Sequence, residues 1–192
     1  VPRWTRLIAA FALAVVALTA CTSEDPPADP GAGPSSSGEV DPEGRLIVDF
    51  RMPGDFGSTS AVPLPMIISE SYRTPDIIAL KDVQSVEAIM VVSYALPQDF
   101  TGATDAELLA KISEYNNAAG VTPKGDPILA IANRHRGFVQ SVEKAENGKT
   151  TTFEATYLFF GPNLVQVICQ WDKLPAELGS ACQTVLRSLK IK

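Results

Sequence analysis

Histidine occurs once in this 192-residue chain, at position 135, and cysteine only three times. A zinc site needs three or four nitrogen or sulfur ligands, so so few donors argue against one, and no metal is expected. A Ser-His-acid triad would have to use His135, yet no Gly-x-Ser-x-Gly elbow is present. Arg134 and Arg136 flank that histidine, and two guanidiniums oppose the protonation that general-base work requires. The chain also has no glycine loop of the phosphate-cradling kind and no calcium loop of alternating acids. Asp105 and Glu107 read as charges favouring a helix start rather than as a hydrolytic carboxylate pair. The expectation is a protein without cofactor and without catalysis, with a hydrolase the least favoured reading.

A run of roughly 20 apolar residues, enough to span a membrane as a helix, is missing too. The apolar segment at residues 7–20 has 14. It follows Arg3 and Arg6 and closes on Leu18-Thr19-Ala20-Cys21. Basic start, short apolar core, small residues and cysteine make the layout of a cleaved signal, and the last four residues resemble a lipobox. The resemblance implies a diacylglyceryl thioether on Cys21, which becomes the mature N-terminus. Two acyl chains anchor stably where one does not. The expected location is the extracytoplasmic face of the cell membrane. A non-lipidated secretory signal with a chance cysteine is the plainer alternative.

Residues 22–44 are Pro, Gly, Ala, Ser, Thr, Asp and Glu with a single valine. They carry six acids (Glu24, Asp25, Asp29, Glu39, Asp41 and Glu43) and no Lys or Arg. Such a segment buries too little to offset the entropy of ordering and reads as a disordered linker. The net charge of the whole chain is −6; setting aside the two signal arginines and the six linker acids leaves −2 for residues 45–192. That remainder is nearly neutral and has no basic cluster, which argues against nucleic acid as a partner. The domain plan is therefore a signal peptide at 1–20, a lipidated cysteine and acidic linker at 21–44, and one folded domain at 45–192.

Leu46, Val48 and Phe50 alternate as the inward stripe of an early strand. Residues 54–65 are proline-broken and read as irregular. Residues 77–80 form a short strand candidate, and Ala88 to Ala95 is a continuous apolar run of the length of a strand covered on both faces. Thr104-Asp105-Ala106-Glu107 fits a capping box. It opens a helix with Leu108, Ile112 and Tyr115 on one face, and Gly120 is its stop. Residues 128–132 are another strand candidate. Residues 137–144, 150–160 and 164–171 read as consecutive antiparallel strands, turned at Asn147-Gly148 and Gly161-Pro162-Asn163. Pro175 opens a last helix. Leu178, Cys182, Val185, Leu186 and Leu189 form the stripe that covers the sheet.

Three cysteines are an odd number for an exported protein. With Cys21 lipidated, Cys169 and Cys182 remain, both at inward positions of elements that pack together. An oxidising compartment favours a disulfide between them; two buried free thiols are the alternative.

The elements from Arg45 onward carry Asp49-Phe50-Arg51-Met52-Pro53 on the early strand and Thr104-Asp105-Ala106-Glu107 before the middle helix. They continue with a hairpin at 153–171 ending Val-Gln-Val-Ile-Cys-Gln-Trp, and close with Ala-Cys-Gln-Thr-Val-Leu-Arg-Ser-Leu at 181–189. In this order the chain resembles the Mog1/PsbP-like fold and, within it, the LpqN-type lipoproteins of actinobacteria. The resemblance implies an α+β domain, an antiparallel sheet with helices packed on its faces. It also implies a binding or accessory role in cell-envelope assembly or transport, and it transfers no active-site residue.

The contact residues singled out are Arg134, His135 and Arg136, a small cationic group for an anionic head group or acidic surface, and Phe160 if it points outward. Their ordinary reading is a solvated strand edge and a core aromatic. The partners expected are the membrane through the lipid anchor and an envelope protein. The alternative is a small carrier of a lipid or other apolar ligand, with Ile89 to Val92 and the aromatic zone of Tyr157, Phe159, Phe160 and Trp171 lining a cavity.

Overall fold

The structure, a computed structural model, describes residues 38–81, 86–172 and 175–192. The signal segment, Cys21 and most of the linker lie outside the described residues. The strands are β1 (Val48–Asp49), β2 (Phe56–Ser58), β3 (Asp76–Leu80), β4 (Ala88–Ala95), β5 (Thr122–Pro123), β6 (Ile128–Ala132), β7 (His135–Glu146), β8 (Lys149–Phe160), β9 (Asn163–Trp171) and β10 (Lys190–Ile191). The helices are α1 (Asp105–Ala119) and α2 (Pro175–Ser188). The main sheet is antiparallel in the order β2-β3-β4-β9-β8-β7-β5, and β6 also pairs with β7. The fold is α+β, with one helix on each face of the sheet among the described residues.

Alternation along the central strands builds both layers. On β4, Met90, Val92 and Tyr94 join Leu108, Ile112 and Tyr115 of α1 in one apolar cluster. Ile89 and Val91 of the same strand join Leu178, Cys182 and Val185 of α2 in the other. A strand with both faces covered needs apolar residues at both parities, which is what the run from Ala88 to Ala95 supplies. Gly137 of β7 has no room for a side chain, because a Cβ there would run into the Tyr157 carbonyl and Leu158 of β8.

The helix ends follow their local chemistry. The Thr104 side chain accepts from the Glu107 amide at 3.4 Å, and the Thr104 amide donates to the Glu107 carboxylate at 2.7 Å. Those hydrogen bonds from Thr104 hold the Glu107 carboxyl below its usual range. Gly120 ends α1 at φ 65°, in the left-handed region where a Cβ is disfavoured.

Three expectations meet a different structure. The early strand keeps its stripe, since Leu46 is buried and Val48 and Phe50 pack beside α2, but it does not enter the main sheet. Val48 and Asp49 instead pair with Ile191 and Lys190, because the chain leaving α2 runs back alongside them. Within the irregular stretch at 54–65, Phe56 to Ser58 form β2, the end strand of the sheet, with Phe56 buried. Finally, the folded part begins ahead of Arg45. Val40 bridges Leu46, and the Asp41 carboxylate accepts from the Arg45 amide at 2.9 Å and from its Nε at 2.8 Å. A local ion pair and a bridge thus fold the end of the acidic segment onto the domain.

Candidate binding surface

Cys169 lies on β9, among the α2-facing residues Val165, Val167 and Trp171, and Cys182 lies on the covering stripe of α2. The two form a disulfide across a Cα–Cα distance of 6.2 Å and a sequence separation of 13. The bond pins α2 over β9. Beyond it the same sheet face is less covered, and a groove of about 650 Å³ opens between α2 and the β6–β7 hairpin. Ala130, Glu154, Trp171, Leu178, Cys182 and Leu186 are among its lining. Glu154 is exposed there although it sits on a central strand, and Trp171 is half-buried.

Arg134, His135 and Arg136 do not converge. Arg134 is exposed in the two-residue turn between β6 and β7, at φ 74°. Neighbouring residues of a strand point to opposite faces, so His135 and Arg136 part. The His135 ring meets Phe160 edge-on with centroids 5.1 Å apart, and burial holds its pKa below the ordinary histidine value. Arg136 lies on the α1 side, where it pairs with Asp105 and sits 5.9 Å over the Phe138 ring. Phe160 is buried rather than outward, because that edge-on contact and the α2-side core enclose it.

Under α1 runs a buried polar chain. Tyr157 Oη donates to Asn116 Oδ1 at 2.9 Å, Asn116 Nδ2 to Gln140 Oε1 at 2.7 Å, and Gln140 Nε2 to the Gly125 carbonyl at 2.6 Å. Tyr94 Oη donates to Gln166 Oε1 at 3.1 Å. Burial drives both phenols far above their ordinary pKa, so they serve as hydrogen-bond donors to amides. This chain orients α1 on the sheet. Among the described residues no group of three His, Cys, Asp or Glu side chains could hold a metal ion, and no helix is long and apolar enough to cross a membrane.

Among the described residues the most open apolar feature is β6, which the sequence marks only as a strand. Ile128, Leu129 and Ile131 of β6 are 65%, 56% and 70% exposed. Apolar residues at both parities ordinarily mark a strand covered on both faces. Among the described residues β6 pairs only with β7, and its other edge is open. Pro127, directly before it, was the available sign of an edge position.

No protein-family model matches the sequence, and no curated protein matches it. Several solved structures are similar in fold. A protein from Bacteroides thetaiotaomicron VPI-5482 aligns with a TM-score of 0.48 at 10% identity, over 80% of this chain and 47% of that one. This chain thus spans about half the length of that protein. LpqN of Mycobacterium tuberculosis, described as involved in cell envelope biogenesis, aligns at 0.49 and 16% identity over 86% of this chain and 87% of its own. The PsbP protein of Synechocystis sp. PCC 6803 (CyanoP) aligns at 0.46 and 10% identity over 82% and 98%. The α+β class stands on the chain's own strand order and helix packing.

Proposed function

We propose that this chain is a lipid-anchored protein of the extracytoplasmic membrane face that acts as a non-catalytic binding or accessory protein in cell-envelope assembly or transport. The observation that carries the reading is the Cys169–Cys182 disulfide. It uses two of three cysteines, suits an oxidising compartment, and leaves Cys21 of the lipobox-like segment to take lipid. The envelope role rests on that placement and on the resemblance carried by the sequence. Cys21→Ala should move the protein from the membrane to the soluble fraction, and the wild-type mature mass should exceed that of the peptide by a diacylglyceryl group. Persistence of Cys21→Ala in membranes after a carbonate wash would overturn the anchor. In-membrane crosslinking that recovers no reproducible partner would count against the accessory role.

The groove beside α2 favours a second reading, a carrier of an apolar ligand, with Trp171 on its wall, whereas Ile89 to Val92, Tyr157, Phe159 and Phe160 are buried in the core and line no cavity there. Its volume falls within the roughly 300–1,000 Å³ of small-molecule sites. Native mass spectrometry of the purified protein should then show bound lipid, and a clean apo mass rejects it.

A further inference from the structure

We propose that the open edge of β6 pairs with the β6 of a second copy of this chain, joining two sheets across a two-fold axis at Ala130. The inference goes beyond the envelope role and does not depend on it. Natural edge strands are usually guarded by charge, proline, bulges or a covering segment. Ile128-Leu129-Ala130-Ile131-Ala132 contains no charged residue, proline or glycine, and three of its side chains are more than half exposed. β5 shares the outer side of β7 but pairs further along, at Glu143 and Val142, so it leaves β6 uncovered. At the opposite end of the sheet, β2 has only three residues.

The register follows from the hairpin. Asn133 and Arg134 form a two-residue turn with φ 43° and 74°, the primed type that closes on a hydrogen-bonded pair. That pair is Ala132 with His135. Hydrogen-bonded and non-hydrogen-bonded positions alternate along an antiparallel ladder. Ala132, Ala130 and Ile128 therefore turn their backbone groups to β7, while Leu129 and Ile131 turn theirs outward. An antiparallel copy centred on Ala130 sets each Leu129 opposite the other's Ile131, so the outward groups exchange four hydrogen bonds. Leu129 sits beside Phe138 in the ladder and Ile131 beside Arg136. The two pairs thus gather four apolar side chains on the α1 side. Ile128 then faces Ala132 on the α2 side.

Charge chooses a second copy over a foreign strand. In this register Asp126 of each copy faces Arg134 of the other. Both are exposed and neither has an ion-pair partner among the described residues. The neighbouring charges are already used, Lys124 on Glu143 and Arg136 on Asp105. The edge is also held ready, since Asn133 Nδ2 donates to the Leu189 carbonyl at 2.6 Å and ties the turn to the end of α2. A preformed strand loses little freedom on pairing. A two-fold contact uses the same patch on both copies and closes as a dimer. Five residues make a small interface, so the dissociation constant in free solution should be on the order of 10–100 µM.

The test is sedimentation velocity on the chain from residue 21, carrying Cys21→Ser, between about 5 and 500 µM. A monomer–dimer equilibrium is expected. Leu129→Lys, on an exposed side chain, should leave the thermal midpoint unchanged and abolish the dimer. Arg134→Asp should weaken dimerisation about tenfold, and Asp126→Arg with Arg134→Asp should restore it. Ala130→Cys should give a disulfide-linked dimer on mild oxidation, whereas Lys149→Cys at the far hairpin should not. A chain monomeric throughout, a dimer unaffected by Leu129→Lys, or a monomer that binds a foreign strand at β6 overturns the proposal.

Discussion

His135 shows how one residue's surroundings set its titration. Its ring is half-buried against Phe160, and burial lowers its pKa from 6.5. The unfolded chain therefore takes up a proton at a pH where the fold still refuses it. Stability should be highest above about pH 7 and fall as pH drops through 6.5 toward the lower folded value, below which this loss levels off. Urea midpoints between pH 7.5 and 5 should decline in the wild type and stay flatter in His135→Gln. Tyr157 poses a different residue-scale question. Its hydroxyl satisfies buried Asn116. Tyr157→Phe keeps the ring but strands that acceptor, and should cost about 1–3 kcal/mol in chemical denaturation. Neither the pairing of Tyr157 with Asn116 nor that of Asn116 with Gln140 was legible in sequence, because the three lie on separate elements brought together only by packing.

At the scale of elements, local chemistry carried most of the information. Thr104 and Glu107 satisfy each other's backbone at the start of α1, and Gly120 ends it. Thr104→Ala should destabilise the protein by about 1 kcal/mol, measured by thermal or urea unfolding. The β7–β8 turn was equally legible, with Asn147 at φ 51° and Gly148 at φ 75°. The Asn133-Arg134 turn was not read as one, since arginine at positive φ gives no signal in composition. That omission also hid the separation of Arg134, His135 and Arg136, which sit together in sequence yet are divided among a turn and two sheet faces. β1 failed for a different reason. Its stripe was right, but a two-residue ladder with β10 depends on where α2 releases the chain.

For the whole molecule, the disulfide fastens the last helix to the strand that it covers. Its closed loop of 13 residues predicts a contribution of about 3 kcal/mol. Cys169→Ala with Cys182→Ala should lower stability by about that amount, with both wild-type thiols resisting alkylation until reduced. Two alkylatable thiols in the unreduced protein would contradict the bond. Sequence alone determined the order of most elements, the caps of α1, the two apolar stripes and the facing of Cys169 and Cys182, because periodicity and capping energies act within a few residues. Only the tertiary structure decided that β1 leaves the main sheet, that Phe160 turns inward, and that Ile128, Leu129 and Ile131 stand open at an edge. Those outcomes depend on which distant segment covers a strand. A run of apolar residues states that burial is favourable and leaves unstated what will bury it.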